Sequence, residues 1–182
     1  MKDYIPTINI SSLLNKNFNS IASKKTIKKI ENACFEIGFF QITSHGINKK
    51  SINDIIGVGN LFFDSSIKNK LKLSPKKWNP LNKNIYRGYF PNNVNGKEGL
   101  DIGDPTVTKK IALKLKSPYV EYLNLGKFFN KKSIKIMDNY FDQMFILGEI
   151  LFKSIIQLYK KDVKNYKLAF SRLKTLSTLR FN

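Results

Sequence analysis

The chain has 182 residues, of which 32 are Lys or Arg, 13 are Asp or Glu, and one each is His, Cys and Trp, and its formal net charge is +19. This length predicts one domain or slightly more, and a hydrophobic content of 42% argues against wholesale disorder. A single Cys excludes an internal disulfide, and a single His excludes any metal site that needs two histidines from this chain.

The positive charge is almost entirely lysine. The sequence has 29 Lys, and its three arginines are Arg87, Arg172 and Arg180. Arginine is the usual residue for bidentate phosphate and guanine contacts. The lysines are scattered and accompanied by 20 Asn and 22 Ile, as an A/T-biased coding sequence would produce. The composition favours a solvated basic surface, and we do not expect nucleic acid to be the partner.

No segment predicts export or membrane insertion. Residues 1–6 lack the apolar stretch of a signal peptide. The most apolar segment, residues 145–156, is interrupted by Glu149 and Lys153, which a membrane-spanning helix would exclude. The sequence therefore predicts a soluble, cytoplasmic protein.

The N-terminal residues predict a strand followed by a helix. Residues 6–10 alternate apolar and polar side chains, which is typical of a short half-buried strand. Ser11 and Ser12 are candidate N-caps for a brief helical turn at residues 13–14. From Ser23 the apolar side chains then follow a helical spacing up to a stop at Gly38. These apolar residues are Ile27, Ile30, Ala33, Cys34 and Ile37.

The middle of the chain predicts a strand, a helix and another strand. Residues 39–43 are β-rich and end in a turn at residues 44–46. A second amphipathic helix is predicted from about Asn48, with a loop at residues 73–80 and a short strand at residues 86–90. The apolar face of that helix is predicted to contain Ile52, Ile55, Ile56, Gly59, Phe62 and Phe63.

The last third predicts the longest helix. Residues 97–130 are the least regular and predict only short strands or turns. A helix is predicted at about residues 133–159, and residues 176–182 alternate like a strand. The predicted core stripe of the long helix is Met137, Tyr140, Phe141, Met144, Phe145, Gly148, Leu151, Ile155 and Leu158.

The residues alone show no complete active site. The glycines of residues 57–59 lie within a helical pattern and lack a third glycine, so they are not a phosphate loop. Ser44 precedes His45 without a nucleophile-elbow motif. Cys34 lies in the apolar stripe of its helix, which favours an inert buried thiol.

Three further polar side chains have simpler structural interpretations. Asp101 and Asp104 could form a carboxylate pair, but Asp beside Gly and Pro more often forms a turn. His45, in a Ser-His-Gly turn, is interpreted as a side chain that fixes its loop by a hydrogen bond.

The order of these motifs resembles the N-terminal region of the isopenicillin N synthase-like 2-oxoglutarate/Fe(II)-dependent dioxygenases. Residues 5–10 resemble that family's opening Ile-Pro-x-Ile-Asp, and residues 33–47 resemble its Ala-Cys-x-x-x-Gly-Phe-Phe block. Residues 87–89 resemble its Arg-Gly-Tyr strand, residues 99–104 its acidic stretch, and residues 179–182 its Leu-Arg-x-Asn. The most specific positions are Gly38, Phe39, Phe40, His45 and Gly46.

Three features depart from the family pattern. Asn9 stands where the family usually has Asp, and Ser44 stands where it has Asn. The family's Asn-x-Trp-Pro is missing around residues 124–130. These departures bear on the substrate more than on the family.

The resemblance implies an α/β (α+β) fold: a cap of helices and short strands, a long backing helix, and only the first strand of a double-stranded β-helix that is otherwise missing. It divides the chain into an N-terminal dioxygenase domain, residues 1–130, and the long helix with the start of the barrel, residues 131–182. By resemblance, Arg87 and Tyr89 would lie near the substrate pocket, and Arg180 and Asn182 near the cosubstrate.

The resemblance also implies a reaction, the oxidation of a small organic substrate at Fe(II) with 2-oxoglutarate. The family's His-x-Asp…His iron ligands have no counterpart, because His45 matches a position that is not a ligand. We therefore expect a truncated or split enzyme that binds no metal or cofactor alone and has no catalytic residue. It would associate with itself or with a second polypeptide that carries the barrel. The alternative is a non-catalytic basic protein that binds nucleic acid or a protein partner.

Overall fold

The computed structural model describes most of the chain. The described stretches are residues 5–91, 96–117, 120–158, 172–173 and 177–182. They contain both helices and strands, as predicted, and they form two compact units.

The N-terminal unit consists of the described residues of 5–48 and 143–158, and the sheet unit consists of those of 49–142 and 172–182. The predicted division at residue 130 concerns the domains of the family and stays a prediction.

The N-terminal unit contains two parallel strands and a helix. β1 (Thr7–Asn9) pairs with β2 (Gln41–Thr43) in parallel, and α1 (Ile21–Glu36) connects them. Both strands and the helix lie where the sequence predicts them. The buried core of this unit is Ile8, Ile10, Leu13, Ile27, Ile30, Ala33, Leu147 and Ile150.

The ends of these elements are fixed by local hydrogen bonds. The Ser20 hydroxyl caps α1 by accepting a hydrogen bond from the Ser23 amide at 3.1 Å. Gly38, with φ +93°, follows the helix and donates its amide to the Ala33 carbonyl at 3.0 Å. The predicted helical turn is a 3₁₀ helix, Ser11–Leu13, but its serine N-caps are wrong. The Asn9 side chain instead accepts the Ser11 amide at 2.9 Å.

Cys34 is exposed on α1, so the prediction of a buried thiol is wrong. The buried positions nearest to it are Ile30 and Ala33, and Phe35 is exposed as well. The apolar stripe is therefore narrower at the end of α1 than the sequence pattern indicates.

We expect the Cys34 thiol to react with 5,5′-dithiobis(2-nitrobenzoic acid) in the native protein. The expected stoichiometry is one thiol per chain, at a rate within about tenfold of that of free glutathione, because exposure leaves the sulfur accessible. A reaction that requires denaturant would contradict this exposure. Cys34→Ser is the matched control and should show no reaction.

The sheet unit is built around three antiparallel strands. β3 (Gly88–Phe90) and β5 (Leu179–Phe181) both pair with the central strand β4 (Gly99–Ile102). α2 (Lys49–Phe63) and α3 (Ile67–Lys70) precede the sheet. Its buried core is Ile55, Val58, Phe62, Leu73, Tyr89, Leu100, Ile102, Phe129 and Met137.

Two helices of the sheet unit differ from prediction. Ile56 is exposed, and Val58, which lies outside the predicted face of α2, is buried. α4 (Lys109–Leu115) lies in the stretch predicted to be irregular. It is seven residues long and buries no side chain, and the Thr108 hydroxyl caps it by accepting the Ile111 amide at 3.2 Å.

The long helix α5 (Lys131–Leu158) confirms the longest predicted element. Residues 131–142 belong to the sheet unit and residues 143–158 to the N-terminal unit. The predicted single stripe is partly wrong, because Met144 is exposed whereas Leu147 and Ile150 are buried. Each half of the helix packs into the core of a different unit. The buried side chains therefore do not follow one continuous stripe along the helix. Within the described residues, no helix is long and apolar enough to cross a membrane.

Candidate functional site on the three-stranded sheet

The four side chains assigned by resemblance all lie on or beside the three-stranded sheet. Tyr89 is in β3 opposite Leu100, and Arg180 is in β5 opposite Asp101. Arg87 immediately precedes β3, and Asn182 follows β5. The sequence positions are about 90 residues apart, so only the fold brings them together.

Arg180 and Asp101 form a bidentate ion pair across β4 and β5. Arg180 Nε donates to Asp101 Oδ1 at 2.6 Å, and Nη2 donates to Oδ2 at 2.5 Å. Asp101 is only 4% exposed, and its hydrogen bonds and charge raise the pKa of Arg180 further above its ordinary value. Asp101 therefore belongs to a strand, and the prediction that it forms a turn is wrong.

Arg87 is buried and points toward the residues that precede β5. Its Nη1 donates to Thr178 Oγ1 at 2.5 Å, and its Nη2 donates to the Ser177 carbonyl at 3.2 Å. Burial lowers the pKa of Arg87, although the nearby carboxylates of Asp101 and Glu121 act in the opposite direction. The guanidinium thus links the start of β3 to the start of β5.

The Tyr89 hydroxyl belongs to a partly buried charged network. It donates to Glu98 Oε2 at 2.5 Å, and Lys70 Nζ donates to the same oxygen at 2.9 Å. Lys70 also donates to the Phe63 carbonyl at 3.1 Å. Burial would raise the pKa of Glu98, but the hydrogen bonds from Tyr89 and Lys70 and the charge of Lys70 outweigh it, so the pKa is lowered. Burial, and then Glu98, raise the pKa of Tyr89.

Glu121 fixes the backbone that leads into β3. Its two carboxylate oxygens accept three consecutive amides, those of Ile85 at 2.6 Å, Tyr86 at 2.9 Å and Arg87 at 2.9 Å. Charge-assisted hydrogen bonds of this kind are shorter and stronger than neutral ones. The backbone before Arg87 is therefore held in one conformation.

Arg172 joins two more carboxylates within the sheet unit. Its Nε donates to Asp104 Oδ2 at 2.8 Å, and its Nη2 donates to Asp142 Oδ1 at 2.6 Å. Asp104 Oδ1 also accepts the Thr106 amide at 2.8 Å, which confirms the turn predicted at Asp104.

The His-Gly motif in the N-terminal unit has a structural role. His45 Nδ1 accepts the Ile47 amide at 3.2 Å, which confirms that this side chain fixes its loop. Gly46 has φ +81°, and Ser44 has φ +54°. Phe40 packs against the core, whereas Phe39 is exposed.

Sequence reasoning missed three carboxylates and one lysine of the sheet. No motif surrounds these residues, which are Glu98, Glu121, Asp142 and Lys70. Lys70 and Glu98 pair across 28 residues, Glu121 binds amides 34 to 36 residues away, and Asp142 pairs with Arg172 across 30 residues. The only available signal was the rarity of acidic residues in a chain with 32 basic ones.

The residues of this chain do not fit the family's iron site. His45 is the sole histidine, and its Nδ1 is a hydrogen-bond acceptor for a loop amide. Within the described residues, no group of three or more His, Cys, Asp or Glu side chains could hold a metal ion. The carboxylates of the sheet instead bind arginine, lysine and backbone amides.

Comparison with known proteins assigns the chain to a family. Residues 5–138 match the family described as non-haem dioxygenase in morphine synthesis N-terminal. This match covers most of the chain, so the protein belongs to the family of non-haem dioxygenases and contains its N-terminal region.

Characterised relatives support the same family. The chain is 34% identical over 89 residues to the 2-oxoglutarate-dependent dioxygenase tropC of Talaromyces stipitatus. The aligned residues cover 49% of this chain and 26% of that protein. It is 31% identical over 88 residues to isopenicillin N synthase of Streptomyces clavuligerus. The aligned residues cover 48% of this chain and 25% of that protein. The chain thus spans about a quarter of the length of these relatives.

A solved structure shows the same fold. Full-length Neurospora crassa T7H, determined in complex with alpha-KG, matches 90% of this chain and 46% of that chain. The TM-score is 0.62 and the sequence identity is 20%. This likeness concerns the fold.

Proposed function

We propose that this chain is the N-terminal part of an oxidoreductase that uses Fe(II) and 2-oxoglutarate to oxidise a small organic substrate. The observation that carries the proposal is the match of residues 5–138 to the N-terminal region of the non-haem dioxygenases. The relative from Talaromyces stipitatus is named a 2-oxoglutarate-dependent dioxygenase. The matched solved structure holds alpha-KG.

The proposal assigns the iron and cosubstrate sites to a catalytic barrel outside this chain. The chain has one histidine, whereas the family's His-x-Asp…His set needs two. The iron would supply the oxidising chemistry when bound to that barrel, which another stretch of polypeptide must contribute. Alone, this chain would be inactive and would depend on that polypeptide or on self-association.

The three-stranded sheet is the proposed point of attachment. β5 is an outer strand of the sheet, and within the described residues its second edge has no partner. An unpaired edge presents backbone donors and acceptors to which another strand can pair. The proposed roles of Arg87 and Tyr89 near substrate, and of Arg180 and Asn182 near cosubstrate, rest on their location on this sheet together with the family resemblance.

The test compares the chain alone with a fusion protein. The fusion joins Asn182 to the catalytic barrel of the Talaromyces stipitatus relative. We expect the isolated chain, titrated anaerobically with Fe(II) and 2-oxoglutarate, to give no charge-transfer absorption band. We expect the fusion to give that band and to consume O₂ only when 2-oxoglutarate is present.

Two controls make the test decisive. The barrel without this chain should be insoluble or should consume O₂ at least tenfold more slowly than the fusion. A band of normal intensity from the isolated chain would contradict the assignment of the iron site to the barrel. A fusion no more active than the barrel alone would contradict the proposed N-terminal role.

A further inference from the structure

A groove in the sheet unit lies beside Glu121 but apart from the four side chains assigned to substrate and cosubstrate. Its volume is about 490 Å³, which is within the usual range for small-molecule sites. It is bordered by Lys72, the loop of residues 81–84, the first turns of α4, and residues 121–124 with Lys127. None of the four side chains assigned to substrate or cosubstrate lines it.

The groove is cationic. Among the described residues that line it, four are lysines and Glu121 is the one acidic residue, so the formal charge of this lining is +3. The Glu121 carboxylate already accepts the three amides of residues 85–87. Its negative charge is therefore engaged by the protein. Within the described residues none of the four lysines pairs with a carboxylate, although Lys127 donates a hydrogen bond to Asn82. These lysines are Lys72, Lys83, Lys109 and Lys127.

A buried amide holds one wall of the groove in place. Asn82 is 7% exposed, and its Nδ2 donates to the Lys72 carbonyl at 3.0 Å and to the Ser74 carbonyl at 2.7 Å. Its Oδ1 accepts a hydrogen bond from Lys127 Nζ. Asn84 Nδ2 donates to the Tyr122 carbonyl at 3.1 Å. The loop and the segment that face each other are thus fixed before any ligand binds, which lowers the entropy lost on binding.

The groove also has apolar side chains that the core does not use. Leu81 is 90% exposed and Leu113 is 67% exposed, and Tyr122 is exposed beside them. Single exposed apolar residues are ordinary, but here three line the same cationic groove. The lining therefore combines positive charge with apolar surface.

We propose that this groove binds a small organic anion that carries an apolar body. The lysines would hold the anionic head, a carboxylate or a phosphate, and Leu81, Leu113 and Tyr122 would cover the apolar part. Extended single-stranded nucleic acid fits less well, because its binding relies on several aromatic stacking surfaces and the described lining of the groove has one, Tyr122.

The experiment uses the full chain and three probes of defined chemistry. Octanoate carries a carboxylate and an alkyl chain, inorganic phosphate carries charge alone, and octylammonium carries the alkyl chain with the opposite charge. Binding is followed by ¹H–¹⁵N chemical-shift changes. We expect octanoate to bind in the millimolar range or more tightly, with shifts at residues 81–84, 109–113 and 121–127. Phosphate and octylammonium should bind at least tenfold more weakly.

Matched variants separate the groove from the general charge of the surface. Lys83→Gln with Lys109→Gln removes two exposed lysines of the groove, and Lys68→Gln with Lys110→Gln removes two exposed lysines of the same unit outside it. The first pair should weaken octanoate binding at least tenfold, and the second pair by less than twofold. Leu113→Ser should weaken octanoate at least threefold and leave phosphate unchanged.

Three results would overturn the proposal. Equal losses in the two lysine pairs would show that octanoate responds to diffuse charge. Equal affinity for phosphate and octanoate would show that the apolar side chains do not bind the ligand. If octylammonium bound as tightly as octanoate, the groove would not select its ligand by negative charge. Each result is independent of whether the fusion protein has oxygenase activity.

Discussion

Replacing Gly88 by alanine is expected to lower the free energy of unfolding of the sheet unit by about 3 kcal/mol or more. Gly88 has φ +124°, which non-glycine residues rarely adopt. A Cβ at this position would lie 2.0 Å from the backbone oxygen of Leu73, and also within 3.3 Å of Pro75 Cδ. Backbone cannot move aside as a flexible side chain can, so β3 or the Leu73 segment must shift.

Gly96→Ala is the matched control for this effect. Gly96 also has a positive φ, +70°, but apart from its chain neighbours no atom of the described residues lies within 4 Å of an added Cβ. Gly96→Ala should lower the free energy of unfolding by only about 1 kcal/mol, which is the cost of the positive φ without a steric clash. Urea unfolding followed by Trp78 fluorescence reports on the sheet unit, because the Trp78 and Phe90 ring centroids are 5.6 Å apart. A loss at Gly88 no larger than that at Gly96 would disprove the close approach.

Replacing Glu98 by glutamine is expected to lower the free energy of unfolding by about 2 kcal/mol at neutral pH. The change leaves the Lys70 ammonium, whose side chain is 9% exposed, without its counter-charge. The Glu98 side chain is 31% exposed, so water screens part of the interaction and the loss is smaller than for a fully buried pair. Lys70→Met in the same chain should recover part of the loss, because no uncompensated charge then remains buried.

Asp54→Asn is the matched control for Glu98→Gln. Asp54 pairs with Lys50 on the surface of α2, where the Lys50 side chain is 82% exposed, and the expected loss is below about 0.5 kcal/mol. If Glu98→Gln and Asp54→Asn lowered the free energy of unfolding equally, the burial of Lys70 would not explain the effect of Glu98→Gln.

The effect of Glu98 should also depend on pH. The pKa of Glu98 is lowered in the folded protein, so ionised Glu98 stabilises the fold above the unfolded-state pKa of about 4.5. That stability is lost as the pH falls through the folded-state pKa. The difference between the wild-type protein and Glu98→Gln should therefore shrink in acid, which urea unfolding at pH 3 and pH 7 will measure.

Most of the secondary structure could be predicted from local sequence signals. The alternation of residues 6–10 predicts β1, and the helical spacing before Gly38 predicts α1, which the Gly38 amide ends. α4 was not predicted: it is only seven residues long, too short for a clear helical periodicity, and none of its side chains is buried. Cys34 was predicted to be buried but is exposed. The sequence pattern indicates which face of α1 is apolar, whereas tertiary packing determines how many residues of that face are buried.

The candidate site could be predicted only in part. The family resemblance brought Arg87, Tyr89, Arg180 and Asn182 into consideration. Tyr89 and Arg180 lie in the three-stranded sheet, and Arg87 and Asn182 lie directly beside its strands. The partners of these side chains could not be predicted. Asp101 lies 79 residues from Arg180, and no sequence spacing specifies an ion pair over such a distance.

We expect the separation of 79 residues between Asp101 and Arg180 to determine the order in which the strands pair during folding. β3 and β4 pair at Tyr89 and Leu100, positions close in sequence, whereas β5 reaches β4 only across 79 residues. Closing a loop about sevenfold longer costs about 1.7 kcal/mol more in chain entropy, and the cost is incurred before the contacts form. The hairpin of β3 and β4 can therefore form early and serve as a template. We expect residues 177–181 to pair with β4 later, so that Arg87 and Asp101 gain their contacts with Thr178 and Arg180 only in that last step.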